Sequence, residues 1–504
     1  METRPRVPFR RALIWAFVMI WGQRGVATLM TFILAALLGP DAFGLVALAM
    51  IYIALVQIFL EQGLSAAIIQ RNDLQPEHLD SAFWINIALS AMLAAGTIVS
   101  SEWIARGNDM PELAPVLRAL ALLLLIKGLT VVQEAVLRRS LDFRTLAIRG
   151  NAGTVVGGIV GVAMALGGAG VWAMVAQQLV AAVVMLILLW SIAQWRPRFR
   201  FSGAHTRELV SFSIKVLFAR IGTYLEGRID ALIVGPFFGP AAIGLLRLAE
   251  RAIDTVAHMA AHPAALLSLP HLSRQQDDRQ AARREISRCI EAATILTFPA
   301  MIFLAVVADD LMLVLGEEWV AAADPLRVFC IAGAARAITI VVGQALQAAG
   351  KPLLYAYLMW AITIASGIAF AIIAWQLRNE GLAAQIMGIA IWKAIITLVL
   401  VVPISLGMIR FVAGYSPLEA MRAMLPAFGT SAIVAAAGVG TLLILAETPW
   451  PAWLRLVILS AVMGGAFAAS AAIVKPSLRR QLIDRLRKSD TPDLNGAESE
   501  PLAS

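Results

Sequence analysis

Charged residues and cysteines are both scarce in this chain of 504 residues. Only 15% of the residues are charged, against about 25% in typical soluble domains, whereas 60% are hydrophobic. The two cysteines, Cys289 and Cys330, lie in separate apolar stretches and have no C-x-x-C spacing. This composition argues against a soluble globular protein, a disulfide framework and a zinc site, and it predicts a polytopic membrane protein.

Sequence signals for catalysis are missing as well. There is no match to the phosphate-binding pattern G-x-x-x-x-G-K-[ST], and the largest predicted outward loop, residues 308–325, has no His or Ser beside its acids. We therefore predict that the chain is not an enzyme and uses no cofactor or metal. Its net charge of +8 comes from basic residues between apolar runs, not from a basic face, so nucleic acid is not an expected partner.

Apolar runs of about 20 or more residues, separated by short polar turns, predict fourteen membrane spans in an all-α fold. We place them at 11–38, 44–68, 79–101, 113–137, 145–167, 170–193, 208–236, 241–268, 286–308, 325–349, 353–376, 381–408, 419–445 and 452–474. Nearly all Lys and Arg residues outside the spans lie in alternate connecting segments, and the intervening segments hold only Arg106 and Arg378. This asymmetry predicts that both termini are cytoplasmic.

An internal repeat divides the chain. The sequence LLGPDAFGLVALAM at 37–50 is echoed by FFGPAAIGLLRLAE at 237–250, an offset of 200 residues, and Gly22 and Gly222 keep the same offset. Six predicted spans separate the copies, so both copies start on the same side of the membrane. We therefore predict two pseudo-symmetric six-helix lobes, a first half (1–200) and a second half (201–409), followed by two extra helices (410–475) and a cytoplasmic tail (476–504).

Arg24 lies at the centre of the first predicted span, in the sequence Gly22-Gln23-Arg24-Gly25. A charge near the bilayer midplane costs about 2.5–3.5 kcal/mol on insertion scales unless water, an acidic partner or an anionic ligand compensates it. This position favours a helix that lines a cavity. The alternative is an internal salt bridge that only fixes packing.

The eighth predicted span carries six charged or ionisable residues on one face. At 100° per residue they fall within an arc of about 120°: Arg247, Glu250, Arg251, Asp254, His258 and His262. Such a stripe cannot face lipid, so it faces protein or water. For the acidic members a self-neutralising ladder between helices is an equal alternative, whereas Arg247 and Arg251 favour cavity lining.

Other intramembrane charges extend these candidates. Lys215, Glu226 and Asp230 share one face of the seventh predicted span, while Arg220 and Arg228 point elsewhere. The candidates for substrate binding are Arg24, Arg247, Arg251, Lys215, Arg336 and Lys393. The candidates for cation or proton coupling are Glu226, Asp230, Glu250 and Asp254. In the fourth span, Lys127 and Glu134 lie on one face and are expected to form a structural pair.

Several stretches together resemble the polysaccharide-transporter branch of the MOP flippase superfamily, which includes Wzx-type and colanic-acid-exporter-like lipopolysaccharide biosynthesis proteins. They are LLGPDAFGLVALAM, EQGLSAAIIQRNDLQPEHLDSAFWIN (61–86), LRRSLDFRTLA (137–147), EGRIDALIVGPFFGPAAIGL (226–245), LPHLSRQQDD (269–278), GEEWVAAADPLRVF (316–329) and LQAAGKP (346–352). The resemblance covers about residues 9–410. Each motif is degenerate, but their order and spacing are specific.

The resemblance implies a MATE-like pair of lobes in the bacterial inner membrane that moves an undecaprenyl-diphosphate-linked oligosaccharide outward by alternating access, for O-antigen or exopolysaccharide synthesis. Related lipid flippases use cavity arginines near the start of the first helix, and Arg24 matches that position. The second repeat has Tyr224 at the equivalent offset. Spans 13 and 14 resemble the extra pair that holds the prenyl tail in such flippases. Membrane lipids and polysaccharide polymerase or export machinery are implied partners.

Two other functions stay open at the level of sequence. A MATE-like antiporter of cationic drugs would favour an acidic cavity, whereas basic residues outnumber acidic ones within the predicted spans. A membrane glycosyltransferase or O-antigen polymerase would need a substantial outward loop or donor-binding acids on the cytoplasmic side. Asp277 and Asp278 are the candidates for such acids, and they lie in a charge-rich loop.

Overall fold

In the computed structural model, the described residues are 9–61, 68, 75–193, 195–199, 217–273, 279–349, 352–446 and 448–474. Within these ranges the chain forms helices joined by short turns, and no strand occurs. The prediction of an all-α fold is therefore confirmed. Lys215, the predicted tail and the side chain of His262 lie outside what is described.

The first half contains α1 (Phe9–Glu61), α2 (Pro76–Gly107), α3 (Leu113–Leu120), α4 (Leu122–Arg139), α5 (Phe143–Leu166) and α6 (Val171–Ile192). The second half begins with α7 (217–226) and continues with α8 (Ile229–Ser273), α9 (Arg279–Val306), α10 (Ala308–Leu315), a 3-10 turn (Glu317–Ala322), α11 (Ala323–Ala348), α12 (Pro352–Leu377), α13 (Leu382–Ile396), a π-helical turn (Thr397–Val401) and α14 (Val402–Ala413). The last two helices are α15 (Pro417–Leu445) and α16 (Ala452–Val474).

Twelve helices in the described part of the chain are long and apolar enough to cross a membrane. They correspond to the predicted spans, and two of them each contain parts of two spans. Spans 1 and 2 both lie in α1, which has 53 residues, and the end of span 7 and span 8 both lie in α8, which has 45 residues; each of these is two helices joined at a glycine with a non-helical backbone. Each is far longer than the roughly 20 residues that cross a bilayer. The total of fourteen spans stays a prediction.

Both long helices bend at a glycine, and the two bends have the same backbone conformation. Gly39 has φ 74° and ψ 173°, and Gly239 has φ 78° and ψ −178°. This region of conformational space is essentially restricted to glycine. A proline follows each glycine, and proline cannot continue the helical hydrogen bonding of the preceding turn. The repeat found in the sequence is therefore a repeat of local structure.

The two bends pack against each other. A Cβ atom added to Gly44 would overlap the carbonyl oxygen of Pro240, and one added to Gly244 would overlap the carbonyl oxygen of Pro40. Only residues without a side chain allow the two backbones this close approach. One buried apolar core surrounds the contact and draws on both halves, with Leu34 and Leu248 completely buried within it.

The two C-terminal helices attach to the second half at both of their ends. α15 starts with a capping box in which Ser416 and Glu419 satisfy each other's backbone N–H groups, and Glu419 also accepts a 2.7 Å hydrogen bond from Arg283 of α9. At the opposite end, Arg455 of α16 forms a 2.5 Å ion pair with the buried Asp310 of α10. These contacts fix the pair to α9 and α10.

Candidate functional site

Four charged residues of the second half form a buried cluster, which we call the neutral cluster. Arg247 lies 2.6 Å from an oxygen of Asp230 and 2.6 Å from an oxygen of Glu250. Lys393 Nζ donates to Asp230 Oδ2 over 2.7 Å and also donates to Glu250. Two positive and two negative charges thus compensate each other, as buried ions require.

The neutral cluster joins three segments of the fold. Asp230 precedes the bend of α8 at Gly239, Arg247 and Glu250 follow it, and Lys393 comes from α13. The ion pairs therefore stabilise the angle between the two arms of α8 and hold α13 against them. Arg247 and Lys393 were predicted to bind substrate, but in this structure each already has two carboxylate partners.

A second cluster, which we call the basic cluster, contains four arginines and two carboxylates: Arg24, Arg228, Arg251, Arg336, Glu226 and Asp254. Within it, Arg336 donates to Asp254 Oδ1, and Arg228 Nη2 lies 3.6 Å from Asp254 Oδ2. Glu226 interacts electrostatically with Arg336. Four guanidinium groups against two carboxylates leave two positive charges without compensation.

Arg24 and Arg251 supply this excess charge. Both are exposed, and neither has a carboxylate within ion-pair distance among the described residues. Each interacts electrostatically with Asp254, and the two arginines also interact with each other. Like charges held near each other on an apolar scaffold favour the binding of an anion.

The excess charge lies between the two halves. One helical turn from Arg24 and one turn from Arg251, the hydroxyls of Thr28 and Thr255 form a 3.0 Å hydrogen bond that joins α1 to α8. At this contact the chain of α1 runs toward its bend at Gly39, whereas the chain of α8 runs away from its bend at Gly239. Because the two bends pack against each other, the helices are antiparallel here. Arg24 thus projects from the first half and Arg251 from the second half into one interface.

The repeat relates two positions of this interface, and only one of them is charged. With the offset of 200, Arg24 corresponds to Tyr224, and Arg251 corresponds to Ile51. Tyr224 donates a 2.9 Å hydrogen bond from its hydroxyl to the Ile51 carbonyl, which closes that side of the interface. On the related side, two arginines face each other instead. Of the two positions that the repeat relates, one is therefore closed by the bond between Tyr224 and Ile51, and the other carries the arginine pair that attracts anions.

A cavity of about 90 Å³ lies beside the basic cluster, within the second half. It is lined by acids and bases of both clusters, together with Thr339 and the π-helical turn at Thr397. The volume accommodates a few water molecules but no oligosaccharide. Arg228, Arg336, Glu226, Glu250, Asp254 and Lys393 all face this cavity.

Arg228 is a site residue that the sequence analysis missed. A continuous helix through residues 208–236 placed Glu226 and Asp230 on one face and Arg228 on another. In the structure, the chain forms a turn at 227–228, so that the helical period is interrupted there. Glu226 and Arg228 consequently line the cavity, while Asp230 joins the neutral cluster. Gly227 beside the charge pair was the one local sign of this break.

The first half has a charged group of its own between α4 and α5. Lys127 and Glu134, predicted to pair, lie 3.6 Å apart, and the buried Arg149 donates a 2.7 Å hydrogen bond to Glu134. The predicted pair is therefore confirmed as part of a triad. The triad packs two helices together and is separate from the basic cluster.

The sequence of this chain matches a known protein family. A model of polysaccharide biosynthesis proteins matches residues 33–324, more than half of the chain. The succinoglycan biosynthesis transport protein ExoT of Rhizobium meliloti is 27% identical over 306 residues, which cover 60% of this chain and 62% of that protein. The teichuronic acid biosynthesis protein TuaB of Bacillus subtilis is 29% identical over 300 residues, or 58% and 62% of the two chains. The chain thus matches less than two thirds of the length of both.

A third relative and two solved structures are also similar to this chain. The lipopolysaccharide biosynthesis protein WzxC of Escherichia coli is 24% identical over 331 residues, covering 65% of this chain and 67% of that protein. Among solved structures, the lipid II flippase MurJ in an inward closed conformation covers 94% of this chain with a TM-score of 0.70 and 12% identity. An inward-facing MATE multidrug transporter of the MOP superfamily covers 79% with a TM-score of 0.63 and 16% identity. At these identities the two structures show the fold alone.

Proposed function

Because this chain belongs to the polysaccharide biosynthesis protein family and shares the fold of a lipid II flippase, we propose that it moves an undecaprenyl-diphosphate-linked oligosaccharide outward across the bacterial inner membrane. Its relatives are named for polysaccharide synthesis and transport, which supports a lipid-linked glycan as the substrate class. Membrane lipids and the polymerase or export machinery for the finished polymer are its proposed partners.

The uncompensated charge of the basic cluster carries this proposal. A diphosphate that links a lipid to a sugar is a diester, and it carries two negative charges at neutral pH. The basic cluster has two positive charges in excess. Arginine also holds phosphate oxygens with two parallel hydrogen bonds, which a lysine cannot do. Arg24 and Arg251 are the proposed first contacts, and Arg228 and Arg336 are the second pair.

The neutral cluster takes a different part in this mechanism. We assign Arg247 and Lys393 to holding the bend of α8, and not to direct contact with the diphosphate, because their carboxylate partners Asp230 and Glu250 already satisfy them. A rigid second half can then move as a unit against the first half. This is the requirement for alternating access by two lobes, with residues 1–200 and 201–409 as the moving bodies.

Coupling to a cation or proton is proposed for Asp254 and Glu226. Asp254 compensates Arg336 and Arg228 while no substrate is bound. When a diphosphate engages those arginines, Asp254 loses its partners. It is then free to take up a proton or a small cation from the adjacent cavity, which accommodates a few water molecules. Release of the substrate would restore the ion pairs. Asp230 and Glu250, fully occupied in the neutral cluster, are less suited to this exchange.

A deletion strain tests the proposal directly. Without this protein, we expect the undecaprenyl-linked oligosaccharide to accumulate, to be identified by mass spectrometry, and surface polysaccharide to disappear. Purified protein is expected to bind undecaprenyl diphosphate more tightly than undecaprenyl monophosphate, because the second phosphate adds a further negative charge and further oxygens for the arginines to hold. A change in drug sensitivity without any lipid-linked intermediate would instead identify a MATE-like antiporter.

A further inference from the structure

A short 3-10 turn of the second half covers the bend of α1 in the first half. Trp319, within the turn Glu317–Ala322, donates a 3.1 Å hydrogen bond from its indole Nε1 to the carbonyl of Ala35. Its ring also meets Phe43 edge-on, with centroids 5.6 Å apart. Trp319 is only 1% exposed, so the contact is dry.

The contact lies at the bend of α1. Pro40 has no N–H to donate to the carbonyl four residues earlier, and a backbone carbonyl has two lone pairs, so it can accept a second hydrogen bond beside a helical one. Ala35 lies four residues before Gly39, in the last turn before the bend. The Ala35 carbonyl therefore accepts the indole N–H of Trp319 through a lone pair that a helical bond leaves available. Glu318 lies directly over Gly39, where a Cβ atom would be only 2.6 Å from its carboxylate oxygen.

The second bend is covered in a related way from the other half. Asn108, which follows α2, lies against Gly235, where a Cβ atom would be 2.7 Å from the Asn108 side-chain oxygen. Gly235 precedes Gly239 by the same four residues that separate Ala35 from Gly39. Asn108 is held in place by its own bonds to the Tyr52 hydroxyl, 3.2 Å, and to the Ile104 carbonyl, 2.8 Å. Each half thus places one buried side chain against the bend of the other half.

Both covering residues lie at the same predicted face of the membrane. Asn108 belongs to the connection between the third and fourth predicted spans, and Trp319 belongs to the connection between the ninth and tenth. The asymmetry of basic residues assigns both connections to the outer side. The two halves are therefore in contact at one mouth of the transport path.

We propose that Trp319 is the gating residue of this outer mouth, and that its bond to Ala35 holds the mouth closed until the substrate-loaded protein opens outward. The proposal rests on the alternating-access function proposed above. One hydrogen bond and one edge-on aromatic contact can exclude water and can still break at each transport cycle. The glycine contacts at Gly44 and Gly244 are unsuited to this role, because they offer no side chain that can swing away.

Accessibility of a buried cysteine measures the closure. In a background with Cys289→Ala and Cys330→Ala, a reporter cysteine replaces Val46, which is 1% exposed and lies one turn from Phe43. The probe is a membrane-impermeant maleimide applied from outside to intact cells. With Trp319→Ala we expect labelling about tenfold faster than with the native tryptophan, since loss of a buried hydrogen bond and an aromatic contact shifts a two-state equilibrium by that order. Trp319→Phe, which keeps a ring and loses the donor, should lie between the two.

Trp453→Ala is the matched control, because Trp453 is exposed on the same predicted face. Its labelling rate should equal that of the parent. Unchanged labelling in both Trp319 variants would overturn the gating role, whatever happens to export. The assay requires no substrate, so it can succeed even if the lipid-linked oligosaccharide proves to be the wrong cargo. Failure of that cargo would appear separately, as absence of the accumulated intermediate in the deletion strain.

Discussion

At the scale of single residues, a charge inside this protein acquires its meaning from its partners. Arg247 and Arg251 are four residues apart on one helix face, yet Arg247 contacts two carboxylates and Arg251 contacts none among the described residues. A buried guanidinium with carboxylate partners on both sides stabilises packing. An exposed guanidinium facing another across an interface attracts an anion.

Removing either unpaired arginine should strongly reduce transport without unfolding the protein. For Arg24→Gln and Arg251→Gln we expect export to fall between tenfold and a hundredfold, because a charge-assisted hydrogen bond to phosphate contributes about 1.5–3 kcal/mol. Surface polysaccharide, normalised to the amount of membrane-inserted protein, is the measurement. Arg220→Gln is the control, since Arg220 is exposed and outside the basic cluster. Equal loss in all three variants would contradict the assignment.

Arg247→Gln should have the opposite profile, with a loss of stability as its primary effect. The change leaves Asp230 and Glu250 sharing only Lys393, and breaking a buried ion pair costs about 3–5 kcal/mol. We expect a lower melting temperature in detergent, measured by intrinsic fluorescence. The melting temperature of Arg251→Gln should equal that of the parent protein. A melting temperature unchanged by Arg247→Gln would show that the neutral cluster is dispensable for folding.

At the scale of helices, glycine–proline pairs decide where the long elements bend. Gly39-Pro40 and Gly239-Pro240 end one arm and begin the next, and this local signal was legible in the sequence as a turn between spans. In the structure both glycines have a non-helical backbone, so the two arms are separate helices that meet at the predicted turn. The sequence analysis missed the turn at 227–228, because a helical wheel assumes an unbroken period. Hydropathy indicates where an apolar segment is long enough to cross the membrane, and it is insensitive to such local breaks.

The contact between the two bends should tolerate no side chain. Gly44→Ala places a methyl group on the carbonyl of Pro240, and such overpacking costs about 1–3 kcal/mol. A reduced melting temperature is expected. Gly25→Ala, in the same helix, has no atom within 4 Å of the added Cβ and should be neutral or slightly stabilising. If both variants melt alike, the close approach of the two bends does not contribute to stability.

At the scale of the whole molecule, the membrane orientation remains a prediction from charge. We expect a cysteine at Glu112 to react with an impermeant maleimide in intact cells, and a cysteine at Ser140 to react only after permeabilisation, because basic residues flank the second position. Both positions are exposed. The native Cys289 and Cys330 are buried and should not react with the maleimide. Labelling with the opposite sidedness would invert the topology and the direction of transport.

The sequence by itself determined the membrane character, the approximate spans, the repeat, the bends and the excess of intramembrane basic residues. These features are local, because hydropathy, glycine–proline pairs and periodicity involve residues close together in the chain. Only the tertiary structure decided which charges are neutralised. Lys393 meets Asp230 across 163 positions of sequence, and Thr28 meets Thr255 across 227. Whether an arginine is satisfied or left for a ligand depends on partners that folding alone brings within reach, since ion pairs act over a few ångströms.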